Sequence, residues 1–302
     1  MQYGNQVIDP VRVMKIAQNG GVPVATLLPT VLGEESFVWQ GRKLSLQRVM
    51  GDRTCDISNE AHVAEFARTL GRLHQATSRY EVAGTNWSIV TMSEDYLNSV
   101  RCYISSKPSS SEGLMKLTDT ADKLTAGLSS VKDKMRAGGW DELPLIPVHG
   151  DYHHHNVRFS GDDLVAVVDF DQARSEPRLY DIAYALGHLF GTYWPSDGSG
   201  FSFWTSSRSM SESQFAFWMT QYLETGPSLS NREWHLLPLA CAAVWPRIIE
   251  DDIPDAEEGL LKTDSVIGYM DTMLARFARP IIIDNVSPNN KHNKNRQSKI
   301  KT

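Results

Sequence analysis

The 302-residue chain predicts an α+β fold in two lobes, a small β-rich one and then a larger, mainly helical one. Three observations carry that expectation. Phe37-Val38-Trp39, the turn Gln40-Gly41 and the run Lys43 through Met50 alternate roughly as a β-hairpin does. Beyond residue 52, apolar residues recur at helical spacing. A second hairpin interrupts those helices between residues 157 and 168. The chain divides accordingly into a first lobe over residues 1–51, a helical lobe over 52–284 and a tail over 285–302.

Val13-Met14-Lys15-Ile16-Ala17 is a short helix closed by Asn19-Gly20-Gly21, which has C-cap composition. The first hairpin would form the edge of a small sheet, and Gly51-Asp52-Arg53 links it to the helical lobe. Val63, Phe66, Ala67, Leu70 and Leu73 place an amphipathic helix over residues 59–76. His74 lies one position past that stripe, with no ligand-type residue a turn away, and is expected to be a satisfied helix histidine. Residues 105–111 form a Ser/Pro-rich loop. Leu117, Ala121, Leu124, Leu128, Val131 and Met135 then share one face of a helix over 112–136 that stops at Gly138-Gly139. Leu145-Ile146-Pro147-Val148 is a short apolar run entering a polar loop. Val157-Arg158-Phe159, the turn 160–163 and the β-branched run 164–168 make the second hairpin. Tyr180-Asp181-Ile182-Ala183 opens a helix whose dipole favours Asp181 in its first turn. Residues 191–203 read as loop, and Arg232-Glu233-Trp234 leads into an apolar helix ending near Trp245.

The chemistry concentrates in His149-Gly150-Asp151-Tyr152-His153-His154-His155-Asn156 and in Asp169-Phe170-Asp171. Folding the chain at the turn 160–163 brings Asn156 and Asp169 to the same open end of the hairpin, with Asp151 in the loop just before it. Any one of these residues alone would more simply be a solvated loop side chain, but together they form a set that phosphoryl transfer uses. Mg²⁺ takes carboxylate and amide oxygens and shares its shell with nucleotide phosphates, so one Asp and one Asn suffice from the protein. That makes Asn156 and Asp169 the candidate metal ligands, and it leaves Asp151 as the catalytic base for an acceptor hydroxyl.

These residues, together with Tyr180-Asp181-Ile182-Ala183, Leu70-Gly71-Arg72-Leu73-His74 and Leu46-Gln47-Arg48-Val49-Met50-Gly51, resemble the aminoglycoside phosphotransferase and choline kinase family, small-molecule kinases of protein-kinase-like fold. The resemblance covers roughly residues 21–275. It implies an interlobe hinge at Gln47, Val49 and Met50 that contacts ATP or GTP, a first lobe that is the partial nucleotide-binding lobe, and structural support of the site by His149 and Asp181. Asp171 is a possible substrate contact. The implied activity is phosphorylation of a hydroxyl on an aminoglycoside or other antibiotic, homoserine, choline or a similar amino alcohol, or a sugar. No Gly-x-Gly turn with a strand lysine after it precedes the hinge, since Lys15 falls in a helix and Lys43 in the hinge-side hairpin. The chain therefore reads as beginning inside its small lobe, and a silent binding module or a protein kinase of the same superfamily are the other outcomes this pattern allows.

Composition restricts the partners. With 41% hydrophobic residues the chain can bury a substantial core, and neither a membrane span nor an export signal is legible, so a cytoplasmic protein is expected. Cys55, Cys102 and Cys241 fit reduced thiols. Lys291, Lys294, Arg296, Lys299 and Lys301 make the tail basic and the remaining chain more acidic than the net −6. The tail is read as solubilising, and neither nucleic acid nor a membrane is expected as partner. Glu250, Asp251, Asp252, Asp255, Glu257 and Glu258 form an acidic run that is either a solvated turn or a wall that recruits a cationic substrate, Glu250, Asp251 and Asp252 being its candidate contacts. His153-His154-His155 invites a zinc site, but adjacent loop residues project in different directions, and a loop-shaping role for His153 is the expectation.

Overall fold

The computed structural model describes residues 8–48, 50–80, 82, 87–106, 112–191 and 212–248. Of the residues singled out in the sequence, Val49, Glu250, Asp251, Asp252 and the basic tail lie outside the described residues, as does most of the loop expected over 191–203. The described chain mixes helices with short antiparallel strand pairs and falls into two compact units.

One unit opens with helix α1 (Pro10–Asn19), capped by the Asp9 side chain accepting from the Val11 N–H and closed at Gly20. Strands β1 (Leu27–Leu28), β2 (Phe37–Trp39), β3 (Arg42–Leu44) and β4 (Leu46–Gln47) come next. Gln40 and Gly41 both have positive φ, the turn geometry that matches the twist of a two-residue hairpin between β2 and β3. The single strand expected through Met50 is split. β2 has no residue left to pair once Phe37 meets Leu44, and the chain turns at Ser45 so that β4 pairs with β1 instead.

Helix α2 (Glu60–Thr77) starts where the periodicity placed it, with Asn59 as N-cap, and buries Val63, Phe66, Ala67, Leu70 and Leu73. It packs against α6 (Glu212–Thr225) at a close approach. A Cβ on Gly71 would stand 2.5 Å from the Tyr222 carbonyl oxygen and from the Thr225 hydroxyl, so the glycine lets the two helices meet. The same unit holds β5 (Ile146–Val148), the hairpin β6 (Val157–Ser160) and β7 (Asp163–Val167), β8 (Arg174–Glu176) and α5 (Leu179–Gly191). β5 pairs with β8, and Val24 and Arg53 bridge to Val167 and Phe159 of the hairpin.

The other unit holds α3 (Ser88–Ser106), α4 (Glu112–Ala137), a 3-10 turn at Trp140–Glu142 and α7 (Asn231–Ile248). α4 buries Ala121, Leu128, Val131 and Met135 and packs on α7. A reciprocal cap starts α7, with the Glu233 carboxylate accepting from the Ser230 N–H and the Ser230 hydroxyl accepting from the Glu233 N–H. Among the described residues no helix is long and apolar enough to cross a membrane.

Candidate active site

The loop between β5 and β6 is held from several sides before any chemistry is considered. At Gly150 φ is 80°, and a Cβ there would run into the Gln172 carbonyl oxygen, so the position admits only glycine. The Gly150 carbonyl accepts from Arg174 Nη2 at 2.7 Å. Tyr152 is fully buried and donates to the Phe66 carbonyl of α2 at 2.9 Å. The Cys55 N–H donates to the His154 carbonyl at 3.1 Å.

Asp181, in the first turn of α5 and fully buried, accepts from the backbone N–H of His149 at 2.8 Å and of Gly150 at 2.9 Å. His74 of α2 lies 3.3 Å from the same carboxylate, with its other ring nitrogen 2.9 Å from the Tyr222 hydroxyl. Burial would raise the Asp181 pKa, but His74, His149 and the Gly150 amide hold it below the usual carboxylate range. His74 is thus satisfied, as its helix position predicted, and its partners tie α2 and α6 to the loop. The His149 ring accepts from the Asp151 N–H at 3.2 Å and donates through Nε2 to the Val168 carbonyl at 3.0 Å. Burial lowers the pKa of that imidazole, with the Asp181 and Asp151 carboxylates opposing it.

Asp151 and Asn156 meet directly. Asn156 Nδ2 donates to Asp151 Oδ2 at 2.9 Å and to the Asp151 backbone oxygen at 3.0 Å. The Tyr184 hydroxyl, from α5, donates to Asp151 Oδ1 at 2.7 Å, and His153 Nε2 stands 3.6 Å from Oδ2. Burial by itself would push the Asp151 pKa up. His153 and the Tyr184 hydroxyl overcome it and hold the carboxylate far below its ordinary value.

Asp169 reaches the same place through the backbone. The Val168 N–H donates to the Asn156 carbonyl at 3.0 Å, extending the β6–β7 ladder by one step, so Asp169 emerges beside Asn156. It is exposed, as is Asp171, while Phe170 between them is buried against the His149 ring at 4.5 Å. The Asp171 pKa is raised by partial burial and by the neighbouring Asp169 charge. Gln47 and Met50 are half-buried, and Gln47 lies near the Met14 sulfur.

Sequence reasoning missed Tyr184 as a site residue. The signal was helical spacing, because Asp181, Tyr184 and His188 stand three and four residues apart and share the face of α5 that meets the loop. His188 stacks on His153 with ring centroids 4.8 Å apart. Burial drives the pKa of His188 and His154 well below the usual histidine value and that of His155 to about 4.

A carboxylate in a glycine-turned loop, an asparagine bonded to it and an aspartate at the hairpin mouth thus stand together. The model of the family described as "Phosphotransferase enzyme family" matches residues 6–203, and the chain belongs to it. It is 26% identical over 243 residues to a homoserine kinase of Pseudomonas aeruginosa (strain UCBPP-PA14), covering 78% of this chain and 67% of that one. Among solved structures, an aminoglycoside phosphotransferase from Alicyclobacillus acidocaldarius superposes with a TM-score of 0.56 at 15% identity, over 91% of this chain and 84% of that one. The amicoumacin kinase hAmiN, in complex with AMP-PNP, Ca²⁺ and Ami, does so with a TM-score of 0.60 at 16% identity, over 90% and 77%. The fold is accordingly the kinase-like one expected from the resemblance, and the chain is a phosphotransferase with a small-molecule hydroxyl as acceptor.

Proposed function

We propose that this chain moves the terminal phosphoryl group of ATP or GTP onto the hydroxyl of an amine-bearing small molecule, such as homoserine, another amino alcohol or an aminoglycoside. The observation that carries the reading is the Asn156 amide. Its Nδ2 is spent on Asp151, which turns its oxygen, the metal-ligating atom, away from that carboxylate, and its backbone carbonyl fixes the approach of Asp169 through Val168.

In this reading Asp151 accepts a hydrogen bond from the acceptor hydroxyl and takes its proton as the new O–P bond forms. A carboxylate held so far below its ordinary pKa is a weak base. That suits a transition state with little bond formation to the incoming oxygen, where orienting the hydroxyl counts for more than deprotonating it. Tyr184 on one oxygen and Asn156 on the other restrain the carboxylate for that purpose. The Asn156 oxygen and the Asp169 carboxylate are an all-oxygen pair that fits a hard divalent ion such as Mg²⁺, which when bound offsets the charge of the phosphates. His149 and Asp181 keep the loop closed around these groups. Gln47, Val49 and Met50 would receive the nucleotide. Asp171 is a candidate contact for the substrate's ammonium group, as suits a relative whose named substrate, homoserine, carries one beside its hydroxyl, and Glu250, Asp251 and Asp252 are separate candidates for drawing in that cation.

The test is a panel of amine-bearing and neutral alcohols with ATP or GTP and Mg²⁺, read by nucleoside diphosphate release and by the mass of the product. Asp151→Asn should keep the fold and nucleotide binding and lose roughly 10²- to 10⁴-fold in turnover. A near-wild-type rate in that variant would remove Asp151 from the mechanism. Turnover confined to neutral alcohols would overturn the amine preference.

A further inference from the structure

A histidine cluster adjoins the base, and two of its three members, His154 and His188, take no part in the proposed phosphoryl transfer. His153 and His154 come from the loop, His188 comes from α5 one turn beyond Tyr184, and one ring nitrogen from each lies within 4.8 Å of the others. Three adjacent loop histidines would not converge on one point. The convergence arises because the third ligand belongs to a different element, which the run His153-His154-His155 could not reveal.

Two further observations point to a ligand. His154 is 6% exposed, and its Nδ1 is buried without a hydrogen-bond partner, a state that destabilises the fold unless something fills it. The main chain at the cluster is fixed, with the His154 carbonyl accepting from Cys55 and the His153 carbonyl from Asn156, so only side-chain rotations are needed. Tetrahedral ligands about 2.0 Å from a metal ion sit roughly 3.3 Å apart. Closing from 4.8 Å is within reach of small ring rotations.

We propose that His153, His154 and His188 form a binding site for one first-row transition-metal ion of the Zn²⁺, Ni²⁺ or Cu²⁺ class. Imidazole-only coordination selects these ions over Mg²⁺, which demands oxygen. The site is therefore chemically separate from the Asn156 and Asp169 pair, although it adjoins it. Three protein ligands leave a fourth position open to water. An ion there recruits the ring that stands 3.6 Å from Asp151 Oδ2 and sets a second positive charge beside the base. The consequence, which rests on the proposed role of Asp151, is that occupation inhibits phosphoryl transfer.

The experiment uses the full chain without a polyhistidine tag and Zn²⁺ in competition with a chromophoric chelator. One equivalent should bind. His154→Gln and His188→Gln should each weaken that binding by roughly 100-fold or more, His155→Ala should retain it, and Asn156→Ala should leave it unchanged. Circular dichroism checks that each variant is folded. If His154→Gln or His188→Gln does not fold, the unmodified chain loaded with Co²⁺ decides, since imidazole ligands in a four- or five-coordinate site give intense visible absorption. The faint absorption of a six-coordinate, water-like ion would overturn the site, as would Zn²⁺ affinity that both glutamine variants leave intact. In the activity arm, Zn²⁺ should inhibit the unmodified chain and spare His154→Gln. Binding without inhibition leaves the metal site standing and rejects only its link to Asp151.

Discussion

Asp169 adopts φ of 62°, a left-handed conformation that L-residues other than Asn and Asp rarely enter and that costs on the order of 1 kcal/mol. Nothing in the hairpin's own pairing requires a carboxylate there, so strain and exposure together suit a residue kept for its oxygen atoms. Asp169→Gly should relieve the backbone while loosening the unfolded chain, two effects of about 0.5–1 kcal/mol that offset each other. Thermal unfolding should therefore stay within a few degrees of the parent, and calorimetric titration should show nucleotide binding that no longer depends on Mg²⁺. Persistence of that dependence would exclude Asp169 as a ligand. Asp151 behaves differently, because its folded pKa is depressed. The stability it contributes is present above the ordinary carboxylate range and is lost only as pH falls through the folded value, so its contacts hold throughout the neutral range. Both residues, with Asn156, were legible in the sequence because hairpin register is a local property. Tyr184 and His188 were not read as site residues, since their approach depends on how α5 docks.

At the scale of elements, β8 was the hardest to foresee. Arg-Ser-Glu reads as surface, yet Arg174, Ser175 and Glu176 are 5%, 1% and 0% exposed. Arg174 accounts for part of this, since it reaches the Gly150 carbonyl and lies over the Tyr180 ring, 4.4 Å from its centroid. α1, α2 and α4 were readable because their apolar stripes are regular and their ends carry caps or glycines. α3 was not described by its own pattern, because Ser, Thr and acidic residues interleave with its buried Ile89, Val90, Met92 and Leu97, and α6 is nearly continuous in aromatic and apolar residues through its middle. Burial pushes the Glu176 pKa up to about 8, with Arg174 opposing it and Asp181 adding to it. A raised folded pKa means that the stability is fully present below the unfolded value and is lost as pH rises toward 8. Glu176→Gln should accordingly match the parent's unfolding temperature near pH 5 and exceed it by a few degrees near pH 8. Parallel curves across that range would show that the carboxyl titrates normally.

Across the whole molecule, charge is the property the sequence conveys most directly. The net charge of −6 is the sum of a basic tail and a more acidic body, and such a body concentrates cations in any cleft it lines. Replacing Asp251 and Asp252 with lysine should raise the Michaelis constant for an amine substrate steeply at low salt and less at high salt, since exposed charges are screened over about 8 Å at physiological ionic strength. A change that salt does not moderate would indicate structural damage, and no change would make the acidic run a solvated turn.

The face of α5 that carries Asp181, Tyr184 and His188 has a mechanical consequence. A helix is stiff along its axis, with a rise of about 1.5 Å per residue, so its three grips on the loop cannot be adjusted one by one. Sliding α5 enough to loosen Asp181 from the His149 and Gly150 amides also draws Tyr184 from Asp151 and His188 from His153. The loop is thereby engaged or disengaged as a unit, like a key whose teeth are cut on one rigid blade.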